Sequence, residues 1–100
     1  MAEYSTCRLL VVGPVNKVRA FVHSHWDKSL GAKHCEILEC SPCRHSWQFE
    51  LERSPLDAFG RISSHFPGLV LFLEYEAEKA RVKGLARVRN GRVDRCEFSY

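Results

Sequence analysis

The pattern of hydrophobic and polar positions predicts a strand and a helix at the start of the chain. Residues 8–12 are strongly apolar and predict a strand that ends at Gly13-Pro14, where Pro14 suits the first position of a helix. Apolar residues then recur at helical spacing from Val15 to Trp26. We therefore expect one helix that buries a single face and ends between Asp27 and Gly31.

Two strands and a second helix follow. Residues 34–40 and 45–53 predict an antiparallel pair joined by a turn at residues 41–44, because Trp47, Phe49 and Leu51 alternate with polar residues. Ser54-Pro55 is typical of a helix start, and Pro67-Gly68 ends that helix. We expect Trp26 and Trp47 to pack in the core, since both lie on the apolar side of their elements.

The last third of the chain predicts three strands. Residues 69–76 are apolar, and residues 77–89 fit a helical stripe as well as a strand, although alternation over 79–89 favours the strand. Asn90-Gly91 predicts a tight hairpin into residues 92–100.

The register of this hairpin raises a question about its terminal aromatic residues. A simple two-residue turn would place Phe98 and Tyr100 on the same face as Lys83 and Arg81. Exposed aromatic residues on a terminal strand are unfavourable, so we expect a β-bulge, at Gly84 or near the turn, that returns both aromatic residues and Cys96 to the core face.

The order of the elements is β-α-β-β-α-β followed by a β-hairpin, and the first six elements follow the ferredoxin-like plan. The predicted fold class is therefore α+β: an antiparallel sheet of four to six strands with two helices on one face. The length of 100 residues suits one core, so we expect a single domain over residues 1–100, in which residues 77–100 form a basic hairpin extension.

We expect a cytoplasmic protein. No segment reaches the roughly 20 continuous apolar residues that a membrane span needs. Residues 1–6 lack the basic stretch and apolar run of a secretion signal. The odd number of cysteines, five, and their positions in predicted strands favour buried, reduced thiols over disulfides.

A cluster of cysteine and histidine residues is the candidate metal site. Two thiolates spaced across a tight turn can bind zinc. The spacing here supplies no second Cys-x-x-Cys pair for zinc, and the predicted strands do not wrap an iron–sulfur cluster as a loop does. We therefore favour thiols without metal and expect no cofactor. The candidate ligands are Cys35, Cys40, Cys43 and His45.

Basic residues are concentrated in the C-terminal quarter of the chain. The net charge is +3, and residues 77–100 hold seven basic against three acidic side chains, whereas residues 1–76 hold eight against nine. Such a row binds phosphates or an acidic protein surface, or merely keeps a strand edge solvated. The candidate binding residues are Lys79, Arg81, Lys83, Arg87, Arg89, Arg92 and Arg95.

The stretch from Trp47 to Ala86 resembles the YubB-type ferredoxin-like family of phage and plasmid proteins, which includes the Api-type phage proteins. The resemblance is carried by Trp47, Ser54-Pro55, Ala58, Phe66-Pro67-Gly68-Leu69, Tyr75 and Gly84-Leu85-Ala86. Family members have an Asn-Trp-Gly segment before the strand of Trp47, whereas this chain has Glu39-Cys40-Ser41-Pro42-Cys43. The resemblance implies a ferredoxin-like fold in a phage or other mobile element, and it implies no catalytic residue.

These observations favour a non-enzymatic interaction module. No spacing fixes a pair of His with Cys or with a carboxylate, so we nominate no catalytic residue. The leading hypothesis is binding to a host protein or protein complex, as a host-defence inhibitor does. The alternative is nucleic-acid binding through the basic strand at residues 79–95, and pairing of two copies at an exposed strand edge also stays open.

Overall fold

The computed structural model describes residues 5–52 and 54–100. Within these ranges the chain forms three α-helices and a six-stranded antiparallel sheet, which makes it an α+β protein. The elements are β1 Ser5–Val12, α1 Val15–Val22, α2 Trp26–Leu30, β2 Lys33–Ser41, β3 Arg44–Leu51, α3 Pro55–Ser64, β4 Val70–Ala77, β5 Val82–Arg89 and β6 Arg92–Ser99. The predictions made for residues 1–4 and for Arg53 fall outside the described residues.

The strands are ordered β2-β3-β1-β4-β5-β6, and each neighbouring pair is antiparallel. β1 is therefore a central strand, with β3 on one side and β4 on the other. β5 and β6 extend the sheet beyond β4, so that β2 and β6 form its two edges.

The helices pack on one face of the sheet. Alternate residues of the central strands, such as Leu9, Phe49 and Leu73, share one buried cluster with Phe21 and Phe59 from the helices. The intervening strand residues are exposed or half-buried on the opposite face, which no described helix covers. We call this opposite side of the sheet the open face.

The side chain of Trp26 lies at the centre of an aromatic cluster. Its ring centroid is 5.2 Å from those of Trp47 and Phe49 and 5.6 Å from that of Phe21. Trp26 and Trp47 are both buried, which confirms their predicted place in the core. Such ring pairs stabilise a core beyond the area that they bury.

The prediction of one helix from Val15 to beyond Trp26 is wrong. α1 ends at Val22, where the Ser24 hydroxyl donates a hydrogen bond to the Phe21 carbonyl oxygen. His25 then adopts a left-handed conformation with φ 58°, and α2 begins at Trp26. A change of direction at His25 therefore allows Trp26 to enter the core.

The predicted β-bulge in the last hairpin is also wrong. Asn90 and Gly91 have φ values of 50° and 81°, typical of the tight turn that the sequence predicts. From there the pairing runs without a shift from Arg89–Arg92 to Val82–Ser99. Phe98 therefore shares the face of Lys83, away from the core.

The hairpin lacks the predicted bulge because helix α3 packs only against the part of β6 nearest the turn. A methyl group at Gly60 of α3 would lie 3.2 Å from Val93, close to the turn, and Val93 is the one β6 residue that packs partly against the core. Further along β6 the described elements provide no core for an aromatic side chain to enter. The predicted strand over residues 79–89 also starts later, at Val82, because the Arg81 amide bonds the Glu78 carbonyl in a turn.

Candidate interaction surface

The open face is built from alternate residues of all six strands. Residues paired directly across neighbouring antiparallel strands lie on the same face. One row across the sheet runs through Ser46, Leu10, Phe72, Arg87 and Asp94. The next row runs through Gln48, Arg8, Glu74, Leu85 and Cys96.

Apolar side chains form the middle of this face. Phe72 is 43% exposed, Leu85 is 59% exposed and Leu38, beside a bulge of β2, is 46% exposed. Together with the half-buried Leu10 they line a shallow groove of about 720 Å³, which we call the central groove. A cluster of exposed apolar groups with a polar border is typical of a binding surface.

Charged side chains of both signs surround the central groove. Asp94 lies 3.4 Å from Arg87 and 3.8 Å from Arg92 (nitrogen to oxygen). At the other end of the groove, beside β2 and β3, the Arg44 guanidinium lies 2.9 Å from the Glu39 carboxylate. The Arg8 guanidinium donates to Gln48 at 3.3 Å, with Glu74 in the same row. The border of the groove therefore carries charges of both signs, although the sequence around β5 and β6 is basic.

The seven basic candidate residues do not form one surface. Lys83, Arg87, Arg89 and Arg92 lie together on the open face. Arg95 pairs with Ala86 and lies on the opposite face, 3.9 Å from Glu97. Lys79 and Arg81 lie in the turn between β4 and β5, where the Arg81 guanidinium sits 5.8 Å from the centre of the Tyr100 ring.

A buried tyrosine connects β4 to β6 on the helical side of the sheet. The Tyr75 hydroxyl passes over Gly84 of β5 and donates a 2.6 Å hydrogen bond to Glu97. A methyl group at Gly84 would lie 2.4 Å from the Tyr75 ring, so Gly84 provides the space for this crossing. The pKa of Tyr75 is raised to about 12: burial is the largest cause, and the hydrogen bond to Glu97 is the second.

The cysteine and histidine candidates are only partly brought together. The Cys40 sulfur lies 3.7 Å from Nε2 of His45, whose ring stacks on Trp47. Residues 5–52 and 54–100 contain no group of three His, Cys, Asp or Glu side chains placed to hold a metal ion. Burial and the nearby Asp27 raise the pKa of the Cys35 thiol.

The prediction that the cysteines are mostly buried is wrong. Cys7 is buried in the core, and burial raises its pKa to about 12. Cys35, Cys40 and Cys96 are exposed on the edge strands β2 and β6, and Cys43 is exposed in the turn between β2 and β3.

The central groove was missed by sequence reasoning, although a signal for it exists. Residues 9–12 and 70–73 are apolar without interruption, whereas a strand with one solvated face alternates. Two such runs in neighbouring strands indicate apolar residues on both faces of the sheet. Treating every apolar residue of these two runs as part of the core left the exposed ones, such as Phe72, unrecognised.

No protein-family model, no curated protein and no solved structure matches this chain. Among the described helices, none has the length and apolar character that a membrane crossing requires.

Proposed function

We propose that this chain is a non-enzymatic interaction module that binds a protein partner through the open face of its sheet. The observation that carries the proposal is the central groove, where Leu38, Phe72 and Leu85 are exposed between charged residues of both signs. Exposed apolar centres with polar rims are the usual anatomy of protein interfaces.

The charge pattern favours a protein over a nucleic acid. A phosphate backbone needs uncompensated positive charge, and its binding strength follows the number of phosphates that Lys and Arg neutralise. On the open face, Asp94 lies beside Arg87 and Arg92, and Glu76 lies 4.0 Å from Lys83. A partner with its own mixed charges would complement this pattern, and such complementarity supplies specificity and association rate.

The setting of this activity is part of the proposal. The resemblance to the YubB-type family implies a phage or other mobile element, and in that setting we propose a host protein as the partner and a host-defence inhibitor as one form of the activity. We also propose the cytoplasm as its location. We also propose that the first six predicted elements adopt a ferredoxin-like fold, which is supported by β1 and β2 running parallel with β3 between them.

The first test uses two exposed aliphatic residues on opposite faces. Leu85 is 59% exposed in the central groove, and Ile37 is 65% exposed on the helical side of β2, where it pairs with Trp47. A Leu85→Lys substitution places a cation in the groove next to Glu74, and Ile37→Lys makes the same change outside it.

We expect a partner captured from host extract by the parent and by Ile37→Lys to be lost with Leu85→Lys. With the purified partner, Leu85→Lys should weaken binding by at least about 30-fold, as expected for a central interface residue worth about 2 kcal/mol. Equal binding by both variants would place the interface elsewhere on the molecule.

Nucleic-acid binding is the second candidate function, and the unbulged hairpin favours it. Phe98 is 57% exposed and shares the open face with Lys83, so aromatic and basic groups lie together there. Sheet proteins hold single strands by stacking bases on such aromatic residues.

Labelled single- and double-stranded nucleic acids, tested at two salt concentrations, separate the candidates. The protein-partner proposal expects weak binding, with little difference between the parent and an Arg81→Glu, Lys83→Glu, Arg87→Glu variant. Tight binding that falls steeply with salt and is lost in the variant would establish the nucleic-acid function instead.

A further inference from the structure

The two edges of the sheet are built differently. β2 carries irregularities at Lys33/Glu36 and at Ile37/Glu39, and His34 within it has a φ of 56°. Bulges of this kind prevent a strand from accepting another strand. β6 is regular along its whole length, lacks proline, and is exposed at every residue except Val93. It is therefore the edge of the described sheet that is open to pairing.

The unpaired backbone groups of β6 can be assigned. The Tyr100 amide donates to the Arg81 carbonyl oxygen at 2.8 Å, so even-numbered residues here point their backbone groups toward β5. Backbone direction alternates along an antiparallel strand, which leaves the N–H and C=O groups of Val93, Arg95, Glu97 and Ser99 directed at the free edge. These are the groups that an added strand would bond.

Charge decides which register a second β6 can adopt. In a two-fold antiparallel pair that continues the sheet, the residue at the symmetry axis lies opposite the same residue of the other copy. We call this residue the centre of the register. Centres at Asp94, Arg95 or Glu97 place identical charges directly opposite, which is destabilising. A centre at Cys96 instead places Arg95 of each copy opposite Glu97 of the other. Centres at Val93 or Phe98 leave most of the strand unpaired.

We propose that two copies of this chain pair through β6, in antiparallel register centred on Cys96, and so form one continuous sheet. The two Arg95–Glu97 pairs across the junction supply the complementary charge, and the free groups of residues 93, 95, 97 and 99 supply the hydrogen bonds. Pairing occupies the free edge of β6 in both copies, and the bulged β2 edge does not accept a further strand. The assembly therefore stops at a dimer. The open faces of the two copies then lie side by side.

Cysteine placement tests both the dimer and its register. In a background with Cys35, Cys40 and Cys43 changed to Ser, three proteins are compared: one that keeps Cys96, and two in which Cys96→Ser is combined with Asp94→Cys or with Phe98→Cys. Cys96 would face its copy at a Cα separation of about 4.5 Å, within disulfide range, whereas residues 94 or 98 of the two copies would lie about 14 Å apart.

The expected result is a dimer in sedimentation velocity that becomes covalently linked under mild oxidation through Cys96 alone. A monomer at all concentrations would overturn the proposal. Linkage at position 94 or 98 in preference to 96 would overturn it as well, because the register would then be different.

A proline at the free edge provides a second, independent test. Arg95→Pro removes an N–H that points to the free edge, which an edge strand tolerates, while Arg95→Ala removes the same charge and keeps the N–H. Arg95→Pro should weaken dimerisation at least about tenfold more than Arg95→Ala does, a difference of about 1.4 kcal/mol. Equal dimerisation of two folded variants would contradict pairing at β6. Residues 94–98 lie outside the substitutions that test the proposed function, so each proposal can fail alone.

Discussion

Individual residues of this protein have roles that depend on which face of the sheet they occupy. Tyr75 and Leu85 are both large side chains in neighbouring strands, yet Tyr75 is buried on the helical side of the sheet and Leu85 is exposed on the open face. Gly84, directly opposite Tyr75, has no side chain, so the tyrosine ring reaches across β5 to Glu97. The space at Gly84 thus allows one tyrosine of β4 to connect with β6 across β5.

The raised pKa of Tyr75 predicts a loss of stability at alkaline pH. The pKa is about 12 in the folded chain against 10.0 for a free tyrosine, so the folded state retains this proton between pH 10 and 12 while the unfolded state loses it. The free energy of unfolding must therefore fall as pH rises through this range, by up to about 2 kcal/mol from this residue.

Urea unfolding of the parent and of a Tyr75→Phe variant at pH 10 and pH 12 measures this contribution. Cys7 also has a raised pKa, of about 12, but it is present in both proteins and cancels in the comparison. The parent should lose more stability than Tyr75→Phe between the two pH values. An equal loss would show that the proton on Tyr75 is not held by the fold.

At the scale of elements, helix α3 is connected to the last hairpin by one buried hydroxyl. The Ser63 hydroxyl donates to the Gly60 carbonyl oxygen at 2.9 Å and accepts the Gly91 amide at 2.8 Å. The Asn90 side chain also accepts the Gly68 amide at 3.4 Å. The β5–β6 turn is thus anchored to the helical layer, which positions β6 at the edge of the sheet.

Removing this hydroxyl should destabilise the hairpin. Ser63→Ala leaves the Gly91 amide without its partner, which costs about 1–2 kcal/mol. Ser64→Ala is the matched control, because its exposed hydroxyl bonds only Arg61 within α3. We expect faster hydrogen exchange of the Gly91 amide and lower stability in Ser63→Ala than in Ser64→Ala. Identical exchange in the two variants would contradict the anchoring role.

Prediction from sequence succeeded where a local signal decides the structure. Asn90-Gly91 predicted the hairpin turn, and the alternation of residues 45–51 predicted the buried face of β3. It failed where the outcome depends on distant elements. The left-handed His25 follows from the need of Trp26 to reach the core, and the exposure of Phe98 follows from the limited reach of α3. The mixture of charges on the open face could be predicted only with the strand register, which brings Asp94 beside Arg87.

At the scale of the whole molecule, the sheet has two chemically different sides. Helices and an aromatic cluster cover one side, and the other presents the central groove within a border of paired charges. This asymmetry is the basis for the proposed interaction, because the apolar residues of the helical side are already buried in the core, whereas those of the open face are not. Pairing of two copies through β6 would double the surface without covering it.

The most direct test of the central claim is a methyl NMR titration of the labelled protein with its captured partner. Leu10, Leu38 and Leu85 report on the central groove, while Ile37 and the buried Leu51 report on the helical side. Binding through the open face predicts that the groove methyl signals shift or broaden and that those of Ile37 and Leu51 stay in place. Changes confined to Ile37 and its surroundings, with the groove signals unaltered, would contradict the account.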